Sequence, residues 1–123
     1  MNTFIYVILA AIGVYLLFRL FNAKPSGYKN ISSDELNALI KEKKVNLIDV
    51  RSKAEMKSGV IGKPSWLELN GSFKEKASKL DKDKTYVVYC RSGRRSAIAS
   101  KMLAGLGFAN VFNLSGGFMS YRK

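Results

Sequence analysis

The chain contains 123 residues with a formal net charge of +12, 47% hydrophobic residues, one Cys and no His. This length accommodates one domain, and the apolar content is too high for a disordered chain. Without His, the chain cannot form a Ser-His-Asp triad, a Cys-His pair or a His-containing zinc site. A single Cys forms neither an internal disulfide nor a CxxC pair, so any thiol chemistry depends on Cys90. The positive charge predicts a negatively charged partner.

The chain begins with an apolar segment. Residues 2–18 carry no charged side chain, and a helix of about 20 residues crosses a hydrocarbon core of about 30 Å. We therefore expect residues 1–22 to form an uncleaved transmembrane helix. A cleaved signal peptide is the alternative, but a basic n-region and a small-x-small cleavage site are both missing. Lys and Arg follow the segment and none precedes it, which predicts a single-pass protein of the cell (inner) membrane with a cytoplasmic domain.

Residues 23–29 contain Pro25, Ser26 and Gly27 and are predicted to link this segment to a domain over residues 30–123. Within that domain, helical and strand patterns alternate.

The first half of the domain begins with a capping-box pattern. Ser32 and Glu35 form this pattern, which predicts a helix starting near Ser33. Residues 45–50 form a short, mostly apolar run typical of a buried strand. A second capping-box pattern at residues 72–75 predicts another helix.

The second half of the domain continues the alternation. Residues 85–90 are rich in β-branched and aromatic side chains and predict a second buried strand. A helix is expected over residues 96–106 with Gly107 as its terminating residue, followed by a strand over residues 111–114. Strands that alternate with helices predict a small three-layer α/β domain, with a parallel sheet covered by helices on both faces.

The segment between the second strand and the following helix has the sequence CRSGRRS, residues 90–96. Ligands of open parallel α/β sheets bind beyond the carboxyl ends of the strands, and the N-terminus of a helix favours anions. Cys90 is therefore a candidate thiolate nucleophile, because a thiol at a helix N-terminus beside Arg has a lowered pKa. The alternative is an inert, buried core thiol. Catalysis by Cys90 requires that solvent can reach its sulfur.

Positive charge is concentrated near this segment. After Asp83 the chain contains seven Lys and Arg residues and no Asp or Glu, a net charge of +7. Such a field attracts a small dianion and stabilises a thiolate. Arg91 and Arg95 are the better candidates for this role, whereas Arg94 is equally consistent with a solvated surface charge. Ser96 is more often a helix N-cap than a ligand in such a position.

The segment CRSGRRS resembles the CxxGxRS active-site loop of rhodanese-like sulfurtransferases. Residues 49–55 resemble the family's DVR-x-x-x-E segment, and residues 103–117 resemble its L-x-x-x-GF-x-x-V-x-x-L-x-GG tail, so the resemblance covers nearly all of residues 30–121. It implies that Cys90 is catalytic. It assigns Asp49 and Arg51 to supporting the sheet end and the loop, since a buried carboxylate and guanidinium are normally paired. The implied substrate-binding residues are Arg91, Ser92, Gly93, Arg94, Arg95 and Ser96.

The resemblance also implies a reaction. A Cys90 persulfide would carry sulfur from a small anionic donor such as thiosulfate to a thiol or cyanide acceptor, without a metal or an organic cofactor. The chain departs from the family pattern at two places. Residues 59–64 (GVIGKP) lack the His of the family's GHI-x-GA segment, and Tyr121 lies near the position where the family often has Trp.

Other functions compete with this interpretation. A non-catalytic binding module could use the basic loop to dock an acidic partner at the membrane. An arsenate or phosphate enzyme ranks third, because the phosphatases of this fold have one more residue between Cys and Arg than the four that separate Cys90 from Arg95. Nucleic-acid binding is not expected, because the aromatic residues close to the Arg cluster, Tyr86 and Tyr89, belong to the predicted strand.

Overall fold

The structure is a computed structural model that describes residues 3–22 and 27–123. Eleven elements follow one another along these described residues: α1 (Thr3–Asn22), β1 (Lys29–Ile31), α2 (Ser33–Lys41), β2 (Asn46–Asp49), α3 (Lys53–Met56), β3 (Ser65–Trp66), α4 (Phe73–Ala77), β4 (Thr85–Tyr89), α5 (Arg94–Gly105), β5 (Asn110–Leu114) and α6 (Gly117–Ser120).

The five strands form one sheet in the order β1-β5-β4-β2-β3, and all four pairings are parallel. Strand β4 lies at the centre, where Tyr89 pairs with Asp49 of β2 and Val88 pairs with Asn113 of β5. The predicted parallel α/β sheet is therefore confirmed. The carboxyl ends of β2, β4 and β5 lie side by side, which brings the segments that follow these strands to one edge of the sheet.

Side chains of β4 alternate between two cores because successive residues of a strand point to opposite faces. Val87 and Tyr89 belong to a core with residues of α2, α6 and the C-terminal segment, including Leu36. Val88 and Cys90 belong to a second core with residues of α4 and α5. The sheet thus has helices on both faces, as the sequence predicts.

Two of the three predicted helix caps match the structure. Ser32 and Glu35 form a complete capping box at α2, and α5 ends at Gly105 with Gly107 following in a left-handed conformation. The capping box predicted at residues 72–75 is wrong. Ser72 makes no cap there, because its hydroxyl donates to the side-chain oxygen of Asn70 at 2.8 Å.

The N-terminal segment forms helix α1, whose large apolar side chains between residues 4 and 17 are exposed. The sequence predicted that residues 1–22 span a membrane. Within the described ranges 3–22 and 27–123, no helix combines the length with the apolar character needed to cross a bilayer, so the predicted span is not supported. Of the predicted linker, residues 23–26 lie outside the described residues.

Candidate functional site

The loop that follows β4 leads directly into helix α5. The strand ends at Tyr89, Cys90 comes next, and the helix begins at Arg94, two residues earlier than predicted. Gly93 is the N-cap, with φ +98°, a conformation that L-residues rarely adopt. The chain therefore reverses at Gly93 and directs its backbone amides back toward the Cys90 side chain. The sequence analysis considered Ser96 as a helix N-cap, but Ser96 lies inside α5.

The sulfur of Cys90 is surrounded by hydrogen-bond donors of this loop. The Gly93 amide donates to Sγ at 3.1 Å, and the Ser96 hydroxyl oxygen lies 3.3 Å from it. Burial raises the pKa of the Cys90 thiol, but hydrogen bonds from the Ser96 hydroxyl and from the amides of Ser96, Gly93 and Ser92 outweigh it, so that the pKa is lowered overall. The loop thus favours the thiolate without a His base.

Cys90 itself has none of its surface exposed to solvent. Catalysis by Cys90 requires that solvent can reach its sulfur, and this structure does not show such access, because the side chain packs within the core that also contains Val88 and Ala99. Arg91, Ser92 and Arg94 are exposed on the outer side of the loop. Beside them is a hollow of about 310 Å³, which is lined by Arg51, Glu55, Ser58, Arg91, Phe118 and Met119.

Arg95 is directed to a carboxylate of a neighbouring helix. Its guanidinium donates two hydrogen bonds of 2.8 Å to Glu55, a residue that also caps α3 through a capping box with Ser52. Hydrogen bonding by Arg95 holds the pKa of Glu55 at about 2, despite the opposing effect of burial. The sequence analysis quoted Glu55 as part of the DVR-x-x-x-E resemblance but assigned it no role in the site.

The structure places Asp49 and Arg51 in a buried ion pair with several contacts. Two guanidinium nitrogens of Arg51 donate to the Asp49 carboxylate, the shortest contact being 2.7 Å, and both side chains are almost completely buried. Burial lowers the pKa of Arg51, but its interactions with Asp49 outweigh that effect and raise it. The guanidinium also lies 4.2 Å from the centre of the Phe118 ring. The pair joins the end of β2 to α6.

The segment that departs from the family pattern is anchored by its backbone. Arg51 donates to the carbonyl of Gly59 at 2.7 Å, and the Ile61 amide donates to the Tyr89 hydroxyl at 3.0 Å. Burial is the main reason that the pKa of Tyr89 is raised, so this hydroxyl stays neutral. Residues 59–64 thus hold their place beside the Asp49–Arg51 pair without the family's His.

The double glycine after β5 packs directly against the loop. The Phe118 amide donates to the carbonyl of Cys90 at 2.8 Å, and the Met119 amide donates to that of Arg91 at 2.9 Å. Gly117 has φ +64°, and a Cβ on it would lie 2.5 Å from the carbonyl oxygen of Arg91. The position therefore requires glycine. Sequence reasoning identified this double glycine only as part of the family tail.

Ser96 and Asn113 form a second contact that sequence reasoning missed. The Ser96 hydroxyl lies 2.6 Å from the side-chain oxygen of Asn113, and both residues are buried. Asn113 falls within the predicted final strand, but its place beside the loop depends on the parallel pairing of β4 and β5.

In the described residues, no group of three or more His, Cys, Asp or Glu side chains is arranged to hold a metal ion.

Comparisons with known proteins are consistent with this geometry. The family profile described as "Rhodanese-like domain" matches residues 32–123. YtwF of Bacillus subtilis is 40% identical over 94 residues, which are 76% of this chain and 89% of YtwF. The thiosulfate sulfurtransferase GlpE of Pseudomonas savastanoi pv. phaseolicola is 35% identical over 95 residues, covering 77% of this chain and 88% of GlpE. Among solved structures, a rhodanese-related protein from Thermoplasma volcanium has a TM-score of 0.69 and 33% identity over 76% of this chain and 90% of that protein.

Proposed function

Because this chain belongs to the rhodanese-like domain family, we propose that it is a sulfurtransferase that carries a sulfane sulfur on Cys90. The observation that carries the proposal is the environment of the Cys90 sulfur. It lies at the N-terminus of α5, where the Gly93 amide donates to it at 3.1 Å. The relatives of this chain include proteins named sulfurtransferase and thiosulfate sulfurtransferase, and these names support this class of reaction.

The proposed reaction has two displacement steps. The Cys90 thiolate attacks the outer sulfur of thiosulfate, the sulfur–sulfur bond of the donor breaks, and sulfite leaves with the bonding electron pair. The product on the protein is a persulfide whose outer sulfur carries the negative charge. An acceptor thiolate or cyanide then attacks that outer sulfur and releases the Cys90 thiolate. Loop amides and Arg91 are the proposed partners of the donor's oxygen atoms.

Because Cys90 is fully buried, the proposal requires the loop to open before a donor reaches the sulfur. The hollow lined by Arg91 and Met119 lies beside the loop whose Gly93 amide contacts the sulfur. We propose this hollow as the entry route for the anionic donor. Arg91, whose charge is not balanced by a recorded ion pair in the described residues, attracts an anion, and Phe118 and Met119 supply apolar contact.

The decisive experiment is intact-mass analysis of the full chain after incubation with thiosulfate. We expect the addition of one sulfur atom, its loss on treatment with cyanide, and no addition to the Cys90→Ser variant. Since Cys90 is the single Cys of the chain, any thiol-dependent adduct is assigned to it without mapping. A parallel reaction with iodoacetamide reports whether the thiol is accessible. Alkylation without a persulfide contradicts the sulfurtransferase proposal.

The burial of Cys90 favours a second candidate function, which is a binding module that does not react. In this case the exposed Arg91 and Arg94 would dock an acidic protein, and the sulfur would only help to hold the loop. Failure of both thiosulfate and iodoacetamide to modify native Cys90 supports this alternative. Reaction with iodoacetamide after unfolding in urea is the control that the thiol is intact.

We further propose that helix α1 attaches the domain to the cytoplasmic face of the cell membrane. Support comes from the uncharged residues 2–18, from the exposed apolar side chains of α1 and from the positive charges that follow it. The expected result is recovery of the full chain with membranes after an alkaline wash and recovery of a chain lacking residues 1–22 in the supernatant. Equal recovery of both chains in the supernatant contradicts attachment.

A further inference from the structure

A chain of polar contacts leads from the Cys90 sulfur into the sheet. The Ser96 hydroxyl oxygen lies 3.3 Å from the sulfur and 2.6 Å from Oδ1 of Asn113. The Asn113 amide nitrogen in turn donates to the Gly93 carbonyl at 3.2 Å and to the side-chain oxygen of Asn30 at 3.2 Å. Asn113 is 5% exposed and Ser96 is completely buried, so water does not replace these partners.

The orientation of the Asn113 amide is determined by its neighbours. A backbone carbonyl can only accept a hydrogen bond, so the group that faces the Gly93 carbonyl must be the amide nitrogen. The side-chain oxygen of Asn113 therefore faces Ser96 and can only accept. The Ser96 hydroxyl has a single proton, and two groups require it: Asn113 Oδ1 and, when Cys90 is ionised, the thiolate.

The two contacts of Ser96 are unequal. At 2.6 Å the contact with Asn113 is a short oxygen–oxygen hydrogen bond, whereas 3.3 Å to sulfur is an ordinary separation for that larger atom. When Ser96 donates to Asn113, its oxygen lone pairs face the sulfur and accept from a protonated thiol. When Ser96 donates to a thiolate instead, the buried oxygen of Asn113 loses its donor, which is unfavourable.

We propose that Asn113 is a positioning residue that competes for the proton of Ser96 and so limits the hydrogen bonding available to the Cys90 sulfur. This competition weakens, but does not remove, the hydrogen bond by which Ser96 stabilises the thiolate, so the loop favours the thiolate less than it would without Asn113. Asn113 acts through Ser96 and does not touch the sulfur. The inference builds on the proposed role of Cys90 as a nucleophile, but its test measures the ionisation of the thiol and not sulfur transfer.

The other charged groups around the loop do not depend on Asn113. Arg95 of α5 is paired with Glu55 of α3, and Arg51 is paired with Asp49 at the end of β2. Arg91 and Arg94 belong to the exposed side of the loop. None of the variants below alters these groups, so a change in thiol ionisation is not caused by a changed pairing of these charges.

The test is the pH dependence of iodoacetamide alkylation of Cys90 in the full chain. Asn113→Leu replaces the acceptor by an apolar group of similar size and releases the Ser96 proton to the sulfur. We expect the midpoint of the alkylation profile to fall by roughly 0.5 to 1 pH unit. Asn113→Ala removes the same acceptor and provides the test if the Leu variant does not fold. An unchanged or higher midpoint overturns the proposal.

A double-mutant cycle separates this role from a purely structural one. In the Ser96→Ala background there is no hydroxyl proton to release, so Asn113→Leu is expected to leave the midpoint unchanged. A shift of equal size in the Ser96→Ala background contradicts the proposal. Such a shift would assign the effect to the bond between Asn113 and the Gly93 carbonyl. Asn30→Ala is the matched control, because it removes the other partner of Asn113 and leaves Ser96 as it is. A shift in this control also overturns the proposal.

Discussion

The carboxylate of Glu55 accepts two hydrogen bonds from the guanidinium of Arg95 and, at the same time, closes the capping box of helix α3 with Ser52. One side chain thus joins the start of α3 to the start of α5, across a separation of 40 residues in the chain. The charge of Arg95 is balanced by this pair. The charges of Arg91 and Arg94 are therefore the ones that the loop presents to an incoming anion.

We expect Glu55→Gln to destabilise the protein in a pH-dependent manner. A carboxylate whose pKa is lowered from 4.5 to about 2 contributes stability above pH 4.5, and this contribution is lost as the pH falls to about 2. Because the Arg95 side chain is 40% exposed, solvent screening limits the loss near neutral pH to about 1 kcal/mol. Urea unfolding of both proteins between pH 7 and pH 2 measures the difference, which should shrink as the pH falls.

Glu35→Gln is the matched control for this prediction. Glu35 closes the same kind of capping box at α2, but the structure records no arginine partner for it in the described ranges. The loss caused by Glu55→Gln near neutral pH should exceed the loss caused by Glu35→Gln. Equal losses would mean that the bond to Arg95 adds nothing beyond the cap.

Gly117→Ala is expected to distort the Cys90 loop. The new Cβ would lie 2.5 Å from the Arg91 carbonyl oxygen at a backbone φ of +64°, so the loop or the double glycine must shift. We expect a loss of about 2 kcal/mol in the free energy of unfolding and a changed rate of Cys90 alkylation in the native protein. Gly105→Ala, where a Cβ meets no atom within 4 Å, should leave the alkylation rate unchanged. Native alkylation kinetics that do not change in Gly117→Ala contradict this prediction.

Removal of one partner of the buried ion pair should cost more than removal of both. Arg51→Leu leaves the Asp49 carboxylate buried without its counter-ion, and the expected loss is about 3–5 kcal/mol. In Asp49→Leu/Arg51→Leu no buried charge remains, so the loss should be smaller than in Arg51→Leu alone. Urea midpoints of the two variants and the parent chain test this order. The reverse order would show that the pair itself contributes more than its desolvation costs.

Tyr121→Phe should destabilise the attachment of the C-terminal segment to α2. The Tyr121 hydroxyl donates to the side-chain oxygen of Asn37, whose amide nitrogen donates to the Arg122 carbonyl at 2.7 Å. Loss of the hydroxyl is expected to lower the free energy of unfolding by about 1 kcal/mol. Tyr28→Phe, at a partly buried tyrosine whose hydroxyl makes no hydrogen bond to the described part of the chain, should have less effect. Similar losses in the two variants contradict the assigned role of Tyr121.

The elements that the sequence predicts correctly are those with local signals. The box formed by Ser32 and Glu35, the apolar runs of β2 and β4 and the glycine after α5 are each defined by a few neighbouring residues. Strands β1 and β3 and helices α3 and α6 escaped prediction, because their two to four residues are too few to display a period.

The site was predictable to the extent that it lies in one continuous loop. The position of Cys90 between a strand and a helix follows from its neighbours in the sequence. The complete burial of Cys90 does not follow from them, because its core contains residues that are distant in the sequence, such as Phe73 of α4. The partners of Arg95 and Ser96 are likewise 40 and 17 residues away, and no local pattern reports on pairs of that kind.

The pairing of β1 with β5 has a consequence for folding kinetics. These neighbouring strands are the first and the last along the chain, with Asn30 opposite Asn113 across more than 80 residues. Closure of so large a loop is entropically costly and slows the step that brings its ends together. The polar contacts behind Cys90 are therefore expected to assemble late, so that protection of the thiol from alkylation during refolding should lag behind the formation of helical structure.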